Sequence, residues 1–190
     1  MKKLLALISI TFLLNAQSNW SIDKAHSRIG FSVNHMVFSE VKGSFTDYEA
    51  TITTSDDKLT DVKVKATIQA KSINTDNEKR DEHLRSADFF EVEKYPTITF
   101  ESKSWKKVGK GKYKLNGDLT MKGVTKNITL DVTLKGVVTG MSGKLVAILY
   151  VSGSINRQDF NISWNKLLDK STPIVGNTVT FEMPIELVKN

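Results

Sequence analysis

The stretch VKVKATI, residues 62–68, alternates apolar and polar side chains with a period of two. This alternation is typical of a β-strand that buries one face and exposes the other. The same pattern returns in segments 29–34, 98–100, 113–119, 128–134 and 179–185. Glycines in Lys-Gly, Asn-Gly and Ser-Gly pairs punctuate the chain and favour tight hairpin turns. The sequence therefore predicts strands from end to end, joined as antiparallel neighbours.

An all-β domain with eight or nine such strands can bury its apolar faces in a sandwich or a closed barrel, and closure removes every exposed edge. One segment departs from the pattern, because residues 75–86 are rich in charge. Thr75 and Glu78 have the spacing of a capping box, so a helix over about residues 75–86 is predicted between two strands. Phe89 and Phe90 are expected to hold this helix against the barrel. Pro184 cannot donate a ladder hydrogen bond, so a bulge or a rim position is expected there.

The N-terminus has the pattern of a secretory signal peptide, with Lys2 and Lys3, an apolar run and the small residue Ala16. We expect cleavage after about residue 16, a single domain over residues 17–190, and a periplasmic or secreted location. The 190-residue chain has no cysteine, which excludes disulfides, thiol chemistry and lipid attachment through an N-terminal cysteine. Removing Lys2 and Lys3 leaves 25 of the 27 basic residues against 21 acidic ones. The lysines are spread along the chain, which argues against nucleic-acid binding.

The usual signatures of catalysis and metal binding are missing from the sequence. His26, His35 and His83 have no short metal-binding spacing, and neither a G-x-S-x-G motif nor a phosphate-binding glycine loop occurs. We therefore predict no catalytic residue and no metal site. His35 continues the parity of Phe31 and Val33, so an unbroken strand would point its ring inward. It is then either a core histidine satisfied by a backbone group or water, or a polar contact in an apolar pocket.

Two groups of charged residues are candidates for the polar end of a ligand site. In the predicted helix, Asp81 and Arg85 lie one turn apart and could pair on a solvated face. Alternatively, Arg80 and Arg85 over a barrel mouth could hold a phosphate headgroup. Arg157 and Asp159 are two apart on a predicted strand, where they would share a face and form an ion pair near the rim.

Residues 20–35, WSIDKAHSRIGFSVNH, strongly resemble the start of the YceI-like family, also called polyisoprenoid-binding proteins. Further blocks that resemble the family follow in order at residues 39–45, 80–90, 95–100 and 117–125. Asn161 departs from the glycine that is frequent in the family after the Asp-Phe pair. The resemblance spans essentially the whole predicted mature chain.

The resemblance implies a lipocalin-like, eight-stranded antiparallel β-barrel, exported in bacteria, that holds an isoprenoid or another long amphiphile and no other cofactor. On parity we predict that the apolar cavity is lined by Phe31, Val33, Phe45, Phe100, Leu119 and Phe181. The polar end is assigned to His35, Arg80, Arg85 and Arg157. A solid structural or stress-protective barrel and an enzyme acting on a lipid headgroup remain alternatives. Transient membrane contact and a homodimer are also left open.

Overall fold

The computed structural model describes residues 17–190, so the predicted signal peptide lies outside the described residues. The strands are Ser18–Ile22 (β1), Ile29–His35 (β2), Ser39–Phe45 (β3), Tyr48–Thr54 (β4), Val62–Gln69 (β5), Ile73–Asn74 (β6), Thr97–Gly109 (β7), Lys112–Met121 (β8), Val124–Thr139 (β9), Leu145–Asn156 (β10) and Val175–Lys189 (β11). The α-helix is Glu78–Arg85 (α1), and short 3-10 helices occupy Ala70–Ser72 and Arg157–Phe160. None of the helices in this part of the chain is long and apolar enough to cross a membrane.

The strands form a closed antiparallel barrel. Eight of them follow one another in the ring β1-β4-β5-β7-β8-β9-β10-β11, and pairing of β11 with β1 closes it. Beyond β1, strand β2 continues along the same edge of β11, and β3 and β6 extend the sheet from there. The ring therefore has eight strand positions. In three of them two shorter strands follow one another: β1 and β2, β4 and β3, and β5 and β6. The predicted eight-stranded barrel with one inserted helix is confirmed.

Pro184 lies where the neighbour of β11 changes from β2 to β1. Pairing with β2 ends at Phe181, pairing with β1 begins at Leu187, and between them the Arg28 N–H donates to the Pro184 carbonyl at 3.0 Å. The N–H and C=O of a strand residue point to the same side. Proline has no backbone N–H, and at Pro184 the side of the strand on which it would lie is the side that faces the break between β1 and β2. The register with β10 is continuous here, so the expected bulge or rim position is wrong.

The two ends of the barrel differ in how they are closed. One end, called the helix end here, carries the longer connections 75–96 and 157–174 together with the turns 36–38 and 122–123. The opposite end, called the base, is filled by side chains. Leu59 is completely buried, Trp105 stacks on Tyr113 with ring centroids 4.4 Å apart, and the Trp105 Nε1–H donates to the Leu59 carbonyl at 3.1 Å.

The inserted helix is shorter than predicted and begins differently. Asn77 is its N-cap, since its side-chain oxygen accepts a hydrogen bond from the Arg80 N–H at 3.1 Å. The predicted capping box at Thr75 is wrong, because the Thr75 N–H donates to the buried Asp81 carboxylate at 3.0 Å instead. Phe90 packs edge-on against Phe45 of β3 with centroids 5.8 Å apart. This contact holds the segment after the helix against the barrel.

Candidate functional site

The barrel encloses an apolar cavity of about 260 Å³ between the base and the helix end. All six residues predicted to face it do line it: Phe31, Val33, Phe45, Phe100, Leu119 and Phe181. Among the lining residues, which all lie in the described part of the chain, Arg157 alone carries a charge. The structure thus brings the predicted apolar set together around one space, and their role in binding a ligand stays a prediction.

The cavity exists because small side chains face one another across neighbouring strands. Ala66 of β5 pairs with Ala50 of β4 on one side and with Phe100 of β7 on the other. Both alanines line the cavity. Side chains of one parity share a face of the sheet, so Ala66 points inward with Val64 and Ile68. Sequence reasoning recorded this parity but did not identify the alanines as the source of the space.

Three aromatic rings of the cavity lining pack against one another. The rings of Phe31 and Phe45 have centroids 5.7 Å apart, and those of Phe45 and Phe90 are 5.8 Å apart. All three side chains are only partly buried and line the cavity. Phe90 was missed as a lining residue because the segment after the helix carries no strand periodicity. The three phenylalanines therefore form one continuous aromatic part of the cavity wall.

Arg157 is buried at the cavity wall and is bound by oxygen atoms throughout. Its five donor contacts reach the carbonyls of Gly176 (2.9 Å), Ile162 (2.7 Å), Trp164 (2.8 Å) and Val175 (3.3 Å), and the side-chain oxygen of Asn177 (3.1 Å). A guanidinium has five N–H donors, so none remains for a ligand. Burial lowers the pKa of this guanidinium from its ordinary value.

The predicted ion pair between Arg157 and Asp159 is wrong. The salt bridges among residues 17–190 do not include Arg157. Residues 157–160 form a 3-10 helix rather than a strand, so positions two apart do not share a face. Arg157 instead ties the connection after β10 to the start of β11.

Arg80 and Arg85 are also engaged within the protein, and neither lines the cavity. Arg80 donates to the Thr75 hydroxyl and to the Thr75 carbonyl, both at 2.7 Å. Arg85 donates to Glu78 and to the Lys71 carbonyl, both at 2.9 Å. The predicted Asp81–Arg85 pair is wrong, because Asp81 binds Thr75. The structure therefore does not bring these arginines together as an open clamp.

His35 ends β2 and lies outside the cavity lining. The Ser39 hydroxyl donates to the His35 carbonyl at 2.7 Å and lies 3.4 Å from its Nδ1. The imidazole is half-buried at a hairpin tip. Although β2 runs through His35, this residue is not part of the cavity lining, so the structure does not place it as a polar contact in the cavity.

One group of potential metal ligands lies outside the barrel, beside the break between β1 and β2. Ligand atoms of Asp23, His26 and Glu186 lie within 4.8 Å of one another. No local sequence pattern indicated this group, because Glu186 comes from the last strand, far from Asp23 and His26 along the chain. These side chains could hold a divalent cation, although a 2.9 Å hydrogen bond between His26 Nδ1 and Asp23 accounts for the arrangement without one.

We expect the imidazole of His26 to titrate above its ordinary pKa of 6.5, because its hydrogen bond to Asp23 raises that pKa. The same bond lowers the pKa of Asp23 below 3.8. The pair therefore stabilises the fold at pH values between the lowered pKa of Asp23 and the raised pKa of His26. Its contribution falls as pH rises through the raised pKa of His26, and as pH falls through the lowered pKa of Asp23. A histidine NMR titration checks this, and Asp23→Asn should lower the His26 midpoint. An unchanged midpoint would contradict the assignment.

A family model described as the YceI-like domain matches residues 20–187. A UPF0312 protein of Staphylococcus aureus strain N315 is 39% identical over 170 residues, which cover 89% of this chain and 96% of that protein.

Solved structures share the same barrel. The Campylobacter jejuni YCEI protein is 36% identical, with a TM-score of 0.72 over 88% of this chain and 96% of that one. A polyisoprenoid binding domain from Saccharophagus degradans has a TM-score of 0.64 over 90% of this chain and 98% of that one. At 16% identity, the latter match shows the fold alone.

Proposed function

Because the chain belongs to the YceI-like family, we propose that this protein binds a long-chain amphiphile, a polyisoprenoid, and carries or stores it without catalysing a reaction. The observation that carries the proposal is the cavity inside the barrel, in which every lining residue except Arg157 is apolar. Apolar pockets with few polar groups are typical of hydrocarbon sites. The shared fold with a polyisoprenoid binding domain supports the same ligand class.

The cavity is large enough for part of a hydrocarbon tail in its present shape. Its volume of about 260 Å³ exceeds the roughly 150 Å³ of an apolar cavity that binds benzene. It lies just below the roughly 300 Å³ at which ligand pockets usually begin. We propose that a long tail enlarges this space by displacing lining side chains, and that the half-buried rings of Phe31, Phe45 and Phe90 are the ones that move.

The tail, rather than the headgroup, is expected to supply the affinity. Arg80, Arg85 and Arg157 already donate to protein oxygens, so a headgroup would have to break those bonds before it could use them. Burial of hydrocarbon contributes roughly 0.8 kcal/mol per CH2 group without any polar contact. The headgroup would then stay near the helix end, in contact with water.

The cavity supports binding better than catalysis. Within residues 17–190, the lining contains no histidine, carboxylate, serine or threonine that could act as a nucleophile or general base. His35 lies outside the lining. An enzyme acting on a headgroup would therefore have to place its chemistry outside the space that holds the tail.

Calorimetric titration of lipid-free protein with isoprenoid alcohols of increasing length tests this function. We expect affinity to rise with each added unit, by up to about tenfold for two buried CH2 groups, until the cavity is full. Mass spectrometry of the recovered lipid should show it unchanged. Affinity independent of chain length would contradict tail binding, and a modified lipid would favour the enzyme.

We also propose that the protein is exported, on the pattern of residues 1–16. An exported carrier would meet lipids outside the cytoplasm. Fractionation of the native host, followed by N-terminal sequencing, should recover a chain that begins near Gln17 outside the cytoplasm. Recovery of the full-length chain in the cytoplasm would contradict export.

A further inference from the structure

Five large apolar side chains are exposed together at the helix end. The relative exposures are 42% for Met36, 57% for Val37, 97% for Phe38, 44% for Leu167 and 49% for Leu168. The first three form the turn between β2 and β3, and the other two lie in the connection before β11. We call these five residues the mouth patch. Clustered exposed apolar residues of this kind mark an interaction surface.

The two parts of the mouth patch are joined by hydrogen bonds. The Met36 N–H donates to the Ile174 carbonyl at 2.8 Å, and the Ile174 N–H donates to the Lys166 carbonyl at 2.8 Å. Leu167 pairs with Pro173 across the same small hairpin. The five side chains therefore belong to one hydrogen-bonded surface rather than to two separate loops.

The mouth patch continues the cavity lining along the chain. Val33 of β2 and Val175 of β11 both line the cavity, and the pairing of His35 with Val175 joins these strands just before the turn. The base, at the far end, is filled by Leu59, Trp105 and Tyr113. The cavity lining thus reaches the strand ends that carry the mouth patch.

The backbone of the turn is in a conformation that its residues disfavour. Met36 has φ 50° and Val37 has φ 67°, both in the left-handed region. This region suits glycine and is strongly disfavoured for a β-branched residue such as valine. Apolar side chains thus occupy a turn for which glycine would be the stable choice, which is common at functional sites.

The charges around the mouth patch fit an anionic surface. Lys166 and Lys170 flank the two exposed leucines, and the salt bridges described for residues 17–190 include neither lysine. Asp169 accepts hydrogen bonds from the Ser171 and Thr172 N–H groups within the same hairpin. Acidic residues predominate in the helix segment 75–96. An anionic surface would therefore approach from the hairpin side.

We propose that the mouth patch docks onto an anionic lipid bilayer, so that a tail passes between bilayer and barrel without crossing water. The proposal rests on the proposed function, because the patch lies at the end of the cavity that would hold the tail. Apolar side chains beside lysines are the combination that inserts at the boundary between headgroups and acyl chains. The bound partner is the membrane surface itself.

Flotation with vesicles of phosphatidylcholine and phosphatidylglycerol tests the docking. We expect the protein to float with these vesicles, less with pure phosphatidylcholine, and about tenfold less after Phe38→Asp. Val37→Gly should also weaken flotation while leaving the melting temperature unchanged or higher, because glycine adopts the same φ freely. Met141→Asp is the matched control, since Met141 is fully exposed at the base end. It should float like the unaltered protein.

Equal flotation of Phe38→Asp and Met141→Asp would overturn the proposal, as would absence of flotation for the unaltered protein. A dimer that buries Phe38 and does not bind vesicles would also overturn it. Binding of an isoprenoid alcohol in vesicle-free buffer, measured on the same variants, should stay unchanged. Flotation therefore tests membrane docking, whereas binding of the isoprenoid alcohol in solution tests the proposed function. Either hypothesis can fail while the other holds.

Discussion

Arg157→Met is expected to lower the free energy of unfolding by about 3–5 kcal/mol. The substitution keeps a long apolar side chain but removes all the donors. The carbonyls of Ile162, Trp164 and Gly176, now bonded at 2.7–2.9 Å, would lose their partner. Each buried acceptor left unsatisfied costs roughly 1–3 kcal/mol. The connection between β10 and β11 should loosen first.

Urea unfolding of Arg157→Met beside Arg28→Met measures this effect. Arg28 is exposed, so the same chemical change there should alter the free energy of unfolding by no more than about 0.5 kcal/mol. Arg157→Lys should fall between the two, because an ammonium has three donors rather than five. Equal stability of Arg157→Met and Arg28→Met would show that the buried guanidinium does not hold this end of the barrel.

Ala66→Phe is expected to weaken binding of a long isoprenoid tail by about 100-fold. The added ring would point into the cavity between Ala50 and Phe100, where it would displace several CH2 groups of the ligand. Filling an empty apolar space costs little stability when the ring fits without strain. The variant should therefore fold as the parent does and lose only the ligand.

Thr67→Phe is the matched control for this variant. Thr67 is the next residue of β5 and is exposed on the outer face of the barrel. Its aromatic replacement adds the same volume outside the cavity and should leave tail affinity unchanged. Calorimetric titration of both variants with one isoprenoid alcohol is the measurement. Equal affinities would mean that the ligand does not occupy the barrel interior.

The period-two pattern predicted the strands well because it depends on burial alone, but it left a sandwich and a barrel open, and the resemblance to the YceI-like family implied the barrel. Strands such as β5 and β9 bury one face, and alternation along the chain reports that face directly. The break between β1 and β2 was not predictable in the same way. It depends on Pro184 meeting Arg28, a contact between the two ends of the sequence that local patterns do not record.

The charged residues were predicted less well, because their partners depend on local geometry. Asp81 and Arg85 have the spacing of a helical pair, yet the Asp81 carboxylate is buried and accepts a hydrogen bond from the Thr75 N–H. Arg157 and Asp159 would share a face on a strand, but the chain forms a 3-10 helix there. Most partners of Arg157 are backbone carbonyls, which leave no mark in an amino-acid sequence.

Whether the barrel is hollow was also beyond the sequence. Inward parity identified Phe31, Phe100 and their neighbours, but aromatic side chains fit a filled core and a ligand cavity equally well. The space arises from the register that sets Ala66 opposite Ala50. Register across strands is fixed by pairing between distant segments, and it decides which side chains meet inside the barrel.

Organic extraction of the protein from its native host, purified without detergent and analysed by mass spectrometry, tests the central claim most directly. We predict about one long-chain isoprenoid per barrel in the unaltered protein and in Thr67→Phe, and a strongly reduced amount in Ala66→Phe. Recovery of no stoichiometric lipid from the unaltered protein, or of equal amounts from all three, would contradict carriage in the barrel.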